Sequence, residues 1–373
     1  MRIFPLIAVL AACSTSDDTE VDTPSVDFSA FDAAIESYLT DEGLPGATAA
    51  IVHRDHGVLH MRGYGDFDVD RVMLLASASK MMTAGVLIHL DDAGLLDLDA
   101  PITDVLSDWG QHKEDVTTAQ LLSNSSGMPG LSDGALYAPY LCQYVDAGSL
   151  SVCAEAIYTA VDGAESIPPD TRFRYGGGQW QLAGGIAEVA SGKSWEDLIE
   201  DIYAEPCGLE NTGYSNHFSR PSNNGAFDYP SFMTGDVDDL PDTDNPNMEG
   251  GGYSNASDYA KLLMMHLNDG KCGETQVLSA EGAVRSRSDR LGPAYNGTTG
   301  APGIQGYGMG WWVDTDRTGW ATDPGAYGTV PWIDSETGYA AVILLESDNQ
   351  TGFNLMLDVR DIVHDAITSS PDL

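Results

Sequence analysis

Positive charge is scarce in this chain. Its 373 residues carry 17 Lys and Arg against 57 Asp and Glu, a formal net charge of −40. That balance excludes nucleic acid and anionic membrane surfaces as partners, because both call for a basic face. It fits either a protein that works in salt, where screened carboxylates keep it soluble, or a generally acidic exported protein. Lysine is the rarest charged type, with five in all: Lys80, Lys113, Lys193, Lys261 and Lys271. Each lysine position therefore carries information. The eight histidines are scattered, and no Cys/His cluster has the spacing of zinc ligands, so no metal and no cofactor is expected. The acidic run Asp236 to Asp244 lacks the glycine and the terminal glutamate of an EF-hand loop and reads as a solvated loop.

Long apolar runs are missing as well. The first residues, Met1 to Cys13, hold one arginine, a short apolar stretch and small residues before a cysteine. The stretch is too short to span a bilayer and reads as a signal peptide over 1–12. Leu10-Ala11-Ala12-Cys13 resembles a bacterial lipobox, which makes Cys13 a lipidated N-terminus and residues 13–26 a flexible tether. The expected location is outside the cytoplasm, anchored by that lipid and facing the periplasm or cell exterior. Cysteine is otherwise sparse. The remaining four suggest two disulfides in an exported protein: Cys142–Cys153, which brackets a short polar loop, and Cys207–Cys272 by elimination.

With 42% hydrophobic residues, the rest can bury a large core as one domain over 27–373. Apolar spacing predicts a helix over Phe28 to Leu39 with a stop at Gly43. Ala47 to His53 and Gly57 to Gly63 read as two strands, and Tyr307 to Val313, Gly325 to Trp332 and Tyr339 to Leu345 as further ones. Helices are expected over Ser194 to Tyr203, Ala256 to Asn268 and about Gly352 to Ala366. Strands at both ends thus flank a mainly helical middle. That order predicts a sheet lobe (about 27–75 and 300–373) and a helical lobe (about 76–299), with a site between them.

Three segments can carry chemistry. In Ser77-Ala78-Ser79-Lys80, a helix start places Lys80 three residues after Ser77 on one face. A desolvated lysine can lose its proton and act as base toward a serine hydroxyl. In Tyr175-Gly176-Gly177-Gly178, the glycines let the backbone turn and leave the Tyr175 ring open to a cleft, where an ammonium favours the phenolate. Asp323-Pro324-Gly325-Ala326 opens what reads as an edge strand, where a backbone N–H, with that of Ser77, can hold an oxyanion.

These segments, with Leu90 to Pro101, Leu121-Leu122-Ser123-Asn124-Ser125-Ser126-Gly127-Met128-Pro129, Gly184 to Lys193 and Gly250 to Tyr259, resemble the serine β-lactamase-like hydrolases. That family includes class C β-lactamases, D,D-peptidases and carboxylesterases, and the resemblance covers about 28–368. It implies an α/β (α+β) fold of the β-lactamase/transpeptidase kind, with an antiparallel sheet flanked by helices and an all-helical lobe. It implies Ser77 as acylated nucleophile, Lys80 as its base partner and Tyr175 as general base, with Ser77 and Ala326, after Gly325, donating the oxyanion N–H groups. Asn124, Gly177 and Asp323 fall at its substrate-binding positions. Two departures stand out. The usual Tyr-x-Asn is Tyr175-Gly176-Gly177, and the usual Lys, His or Trp of the third motif is Asp323. Facing the site, Asp323 would repel a substrate carboxylate by about 4 kcal/mol at 4 Å and an effective dielectric of about 20. The expectation is an esterase- or amidase-like serine hydrolase acting on small neutral or cationic esters and amides. The alternatives are a cell-wall D,D-peptidase or β-lactamase, and a binding protein that kept the fold without the chemistry.

Overall fold

The computed structural model describes residues 26–131, 137–220, 228–291, 304–371 and 373. The expected leader, Cys13 and most of the tether lie outside these residues.

Helix α1 (Ser29–Glu42) buries Phe31, Ile35 and Leu39 and ends at Gly43, whose φ of 66° lets its N–H return to the Leu39 and Thr40 carbonyls. Strands β1 (Gly46–His53) and β2 (Gly57–Gly65) follow as a hairpin. From the other end of the chain come β3 (Ile304–Tyr307), β4 (Trp312–Asp314), β5 (Trp320–Thr322), β6 (Val330–Asp334) and β7 (Tyr339–Leu345). They assemble one antiparallel sheet in the order β2-β1-β7-β6-β5-β4-β3. The two chain ends meet where β1 pairs β7, with Ala50 opposite Val342.

Period-2 alternation divides the sheet's side chains between two cores. Ala47, Ala49, Ile51, Trp332, Ala341 and Ile343 pack with α1 and with the last helix, Asn349–Thr368, through Leu355, Val359 and Val363. Ala50, Val52, Ile333, Val342 and Leu344 pack on the opposite side with the middle of the chain. Covered on both faces, β7 reads as an unbroken apolar run, Tyr-Ala-Ala-Val-Ile-Leu-Leu. The middle supplies α2 (Lys80–Asp92), α3 (Gly178–Ser191) and α4 (Ala256–Leu267) among shorter helices, all feeding the second core. Disulfides join Cys142 to Cys153 and Cys207 to Cys272, the two pairs expected.

Four expectations need correction. Tyr307 to Val313 is not one strand: β3 ends at Tyr307 and β4 begins at Trp312, with a turn between them closed by Gly308 N–H to Trp311 O at 2.8 Å. Gly325 to Trp332 is not one strand: Gly325–Gly328 is a turn closed by Gly328 N–H to Gly325 O at 3.2 Å, and β6 begins only at Val330. Nor is that strand at an edge, since β6 lies between β7 and β5. The expected helix over Ser194 to Tyr203 runs as α-helix from Trp195 to Ile199, widens to a π turn over Glu200–Ala204 and closes at Cys207. Pro206 has no N–H for the Ile202 carbonyl, which accounts for the widening.

Candidate active site

Ser77 sits in a 3₁₀ turn, Ala76–Ser79, and Lys80 is the first residue of α2. The tighter turn eclipses positions i and i+3, so it serves the Ser-x-x-Lys spacing even better than an α-helix. Ala76, just before the serine, has φ +46°, a left-handed conformation that a side-chain-bearing residue holds only when its surroundings enforce it. The surroundings do so: Leu75 N–H is tied to Gly252 O at 2.9 Å, and Phe218 and Ala76 crowd the same face of Gly250. Ser77 itself keeps partial exposure, while Lys80 is only 1% exposed.

The Lys80 ammonium donates to Ser77 Oγ at 3.1 Å and to the Glu249 main-chain carbonyl. It lies 4.9 Å from the Tyr175 ring centroid and 5.5 Å from that of Trp180. Burial pushes its pKa down, against the opposing pull of Glu249 and Asp323. This is the state a lysine needs to serve as a base. Tyr175 stacks on Trp312, with centroids 5.4 Å apart, and meets Tyr307 and Phe173 at 6.1 Å each. Burial and then the Asp323 charge push its phenol up, while hydrogen bonds from Ser77 and Trp312 pull it down.

The third motif comes against the Ser77 turn by close backbone approach. A Cβ on Gly325 would sit 2.1 Å from Leu75 O, so only glycine fits. Gly325 N–H donates to Thr329 O at 2.7 Å, which leaves Ala326 as the next N–H along the turn. Among the described residues that N–H has no acceptor, as an oxyanion donor requires.

Asp323 differs from expectation. At the end of β5, it is 0% exposed and does not face the cleft as a repelling surface charge. Among the described residues neither of its carboxyl oxygens accepts a well-formed hydrogen bond, and burial drives its pKa well above the usual carboxylate range against the weaker pull of Lys80 and the Met81 N–H. Asn124 also lies off the cleft. It is fully buried with φ +56°, and its Oδ1 accepts from Gly176 N–H (3.0 Å), Gln179 Nε2 (3.1 Å) and Trp180 Nε1 (2.8 Å). It therefore supports the Tyr175 loop from below. Gly177 has φ +82° and ψ −168°, a glycine conformation, and a Cβ there would point at Pro129 O, 3.0 Å away. The asparagine of the resemblance is thus not merely deleted: a side chain at this position would be strained and would press on the Pro129 carbonyl.

Sequence reasoning missed Glu249. Its carboxylate accepts from Gly177 N–H at 2.6 Å and from the Tyr144 hydroxyl. The sequence held no signal for it beyond its place before Gly250-Gly251-Gly252. It also missed Trp312, whose indole packs on the candidate co-base. Among the described residues no three His, Cys, Asp or Glu side chains gather as metal ligands. In the acidic run, Asp236 and Asp239 are used locally, accepting from Asp238 N–H and Thr234 N–H.

A family model described as Beta-lactamase matches residues 31–363. Penicillin-binding protein 4 of Amycolatopsis lactamdurans is 31% identical over 275 residues, 68% of each chain. Among solved structures, a provisional β-lactamase from Bacteroides dorei superposes with TM-score 0.69 at 26% identity, covering 87% of this chain and 91% of that one. EstCE1, described as a hydrolase with promiscuous acyltransferase activity, superposes with TM-score 0.70 at 20% identity, covering 90% of this chain and all of that one.

Proposed function

The chain belongs to the β-lactamase family of serine hydrolases, and from that premise we propose that it transfers acyl groups from small esters or amides through Ser77 to water. The observation that carries this reading is the buried Lys80 ammonium 3.1 Å from Ser77 Oγ, with Tyr175 against the same lysine. Ser77 attacks the substrate carbonyl as its proton passes to the Lys80–Tyr175 pair, which titrates as a unit. The Ser77 and Ala326 N–H groups hold the oxyanion. The pair returns the proton to the departing alcohol or amine. Water, deprotonated by the same pair, then cleaves the acyl-serine and restores the hydroxyl.

Ester-like substrates are favoured by what stands at the third motif. A fixed cation there would draw in the carboxylate of a β-lactam or a D-Ala-D-Ala peptide. Here the position is a buried acid with no exposed surface. The half-buried rings of Tyr175 and Trp312, stacked with centroids 5.4 Å apart, suit a neutral substrate. A second reading, a cell-wall D,D-peptidase, is favoured by the penicillin-binding name of the 31% identical relative. We further propose export with a lipid on Cys13, which the two disulfides support.

The test is a panel of short p-nitrophenyl esters, D-amino acid amides, D-Ala-D-Ala peptides and a chromogenic cephalosporin, run on wild type and Ser77→Ala. The expected result is ester or amide turnover that Ser77→Ala abolishes, with β-lactam turnover at least about a hundredfold lower in kcat/KM. Efficient cephalosporin turnover would overturn the substrate assignment. Turnover confined to the D-Ala-D-Ala peptides would favour the second reading.

A further inference from the structure

Glu249 joins the two halves of the candidate base system. Its main-chain carbonyl accepts from the Lys80 ammonium, and its carboxylate accepts from Gly177 N–H, two residues after Tyr175. The second carboxylate oxygen accepts from Tyr144 O–H, and the residue is only 4% exposed. Gly176 is shaped to this contact. A Cβ on Gly176 would fall 2.7 Å from Glu249 Oε2, and Gly176 also has φ +72°. A side chain at 176 would thus block the carboxylate that takes the Gly177 N–H, while one at 177 would press on Pro129 O instead. Gly177 is the N-cap of α3 and has no side chain to cap it, so the carboxylate also meets that helix at its electropositive end.

We propose that Glu249 is the positioning residue of this site, holding Lys80 by its carbonyl and the Tyr175 loop by its carboxylate so that base and co-base keep one geometry. This role rests on the serine-hydrolase reading above. It replaces in this chain what a side chain at 177 cannot supply, because that position points at the Pro129 carbonyl. The Lys80 ammonium is faced by the carboxylates of Glu249 and Asp323 and by the Tyr175 ring, so neutralising Glu249 changes its electrostatics as well as the loop's anchorage.

Glu249→Ala and Glu249→Gln separate these effects, with ester hydrolysis followed from pH 4 to 10 beside wild type. Glu249→Ala frees the Gly177 N–H, and kcat should fall about ten- to a hundredfold with KM within about twofold. Glu249→Gln keeps an acceptor for that N–H and removes the charge. It should recover most of kcat, while the acid limb of the rate profile moves down by about one pH unit, because the ammonium then loses its proton more readily. Glutamine rescue with a moved limb is not expected of a residue that only supports the fold. Unchanged kcat in Glu249→Ala, or an unmoved limb in Glu249→Gln, would overturn the proposal. If Glu249→Ala does not fold, the Glu249→Gln profile decides alone. Failure of the underlying reading looks different: wild type itself would show no Ser77-dependent turnover, and the positioning role would fall with it.

Discussion

Writing the missing asparagine back into the second motif should harm this protein. Gly177 holds φ +82° and ψ −168°, a region open to glycine almost alone, and forcing another residue into it costs about 1–3 kcal/mol. The added Cβ would also press on Pro129 O at 3.0 Å and on Gly130 Cα at 3.3 Å, backbone atoms with little room to yield. Together these place the loss for Gly177→Asn near 2–3 kcal/mol. For a chain of this size the entropy of unfolding is about 0.7 kcal/mol per kelvin, so Tm should fall by roughly 3–4 °C. The new amide would be aimed at the Pro129 carbonyl rather than the cleft, so β-lactam turnover should not rise. Differential scanning calorimetry and a chromogenic cephalosporin assay check both parts. A variant as stable as wild type, or one that gains cephalosporin turnover tenfold, would refute the reasoning. The side chain would then have found the site that this backbone denies it.

The remaining predictions concern the third motif. Burial raises the pKa of Asp323 in the folded state, so its contribution to stability is present below the usual carboxylate range and is lost as pH rises through the folded value. Asp323→Asn should therefore gain Tm relative to wild type on going from pH 4 to pH 8, and a constant difference across that range would count against it. Gly325→Ala must displace either Leu75 O or the turn that carries Ala326, and should lower kcat by at least about tenfold with KM little changed. Normal kcat in a folded Gly325→Ala would show that the N–H of Ala326 is not needed where the structure holds it.

What the sequence made legible follows from periodicity and spacing. The strand at Tyr339–Leu345 is buried on both faces, so its composition alone marks it, and α1 shows three buried residues at helical intervals before a glycine stop. Ser77 and Lys80 were readable because a three-residue offset survives whether the turn is 3₁₀ or α. The Gly325–Gly328 turn was not readable. Its alanine and tyrosine have strand-compatible composition, and the reason for the turn lies in Leu75 O, 250 residues earlier in the chain. Asp323 looked like a cleft charge because the position in the motif says nothing about the side chain's burial. Glu249 carried no pattern of its own. Its role depends on Gly176, in another segment, leaving space for a carboxylate, a complementarity that only packing reveals.

The central claim is that Ser77 is an acylable nucleophile activated by Lys80. Incubation with a fluorophosphonate probe or a slow p-nitrophenyl ester, followed by intact mass measurement, tests it most directly. The account predicts a single adduct on wild type, none on Ser77→Ala, and labelling of Lys80→Met slowed at least about a hundredfold. An adduct that persists on Ser77→Ala, or a wild type that takes no label from pH 5 to pH 10, would contradict it.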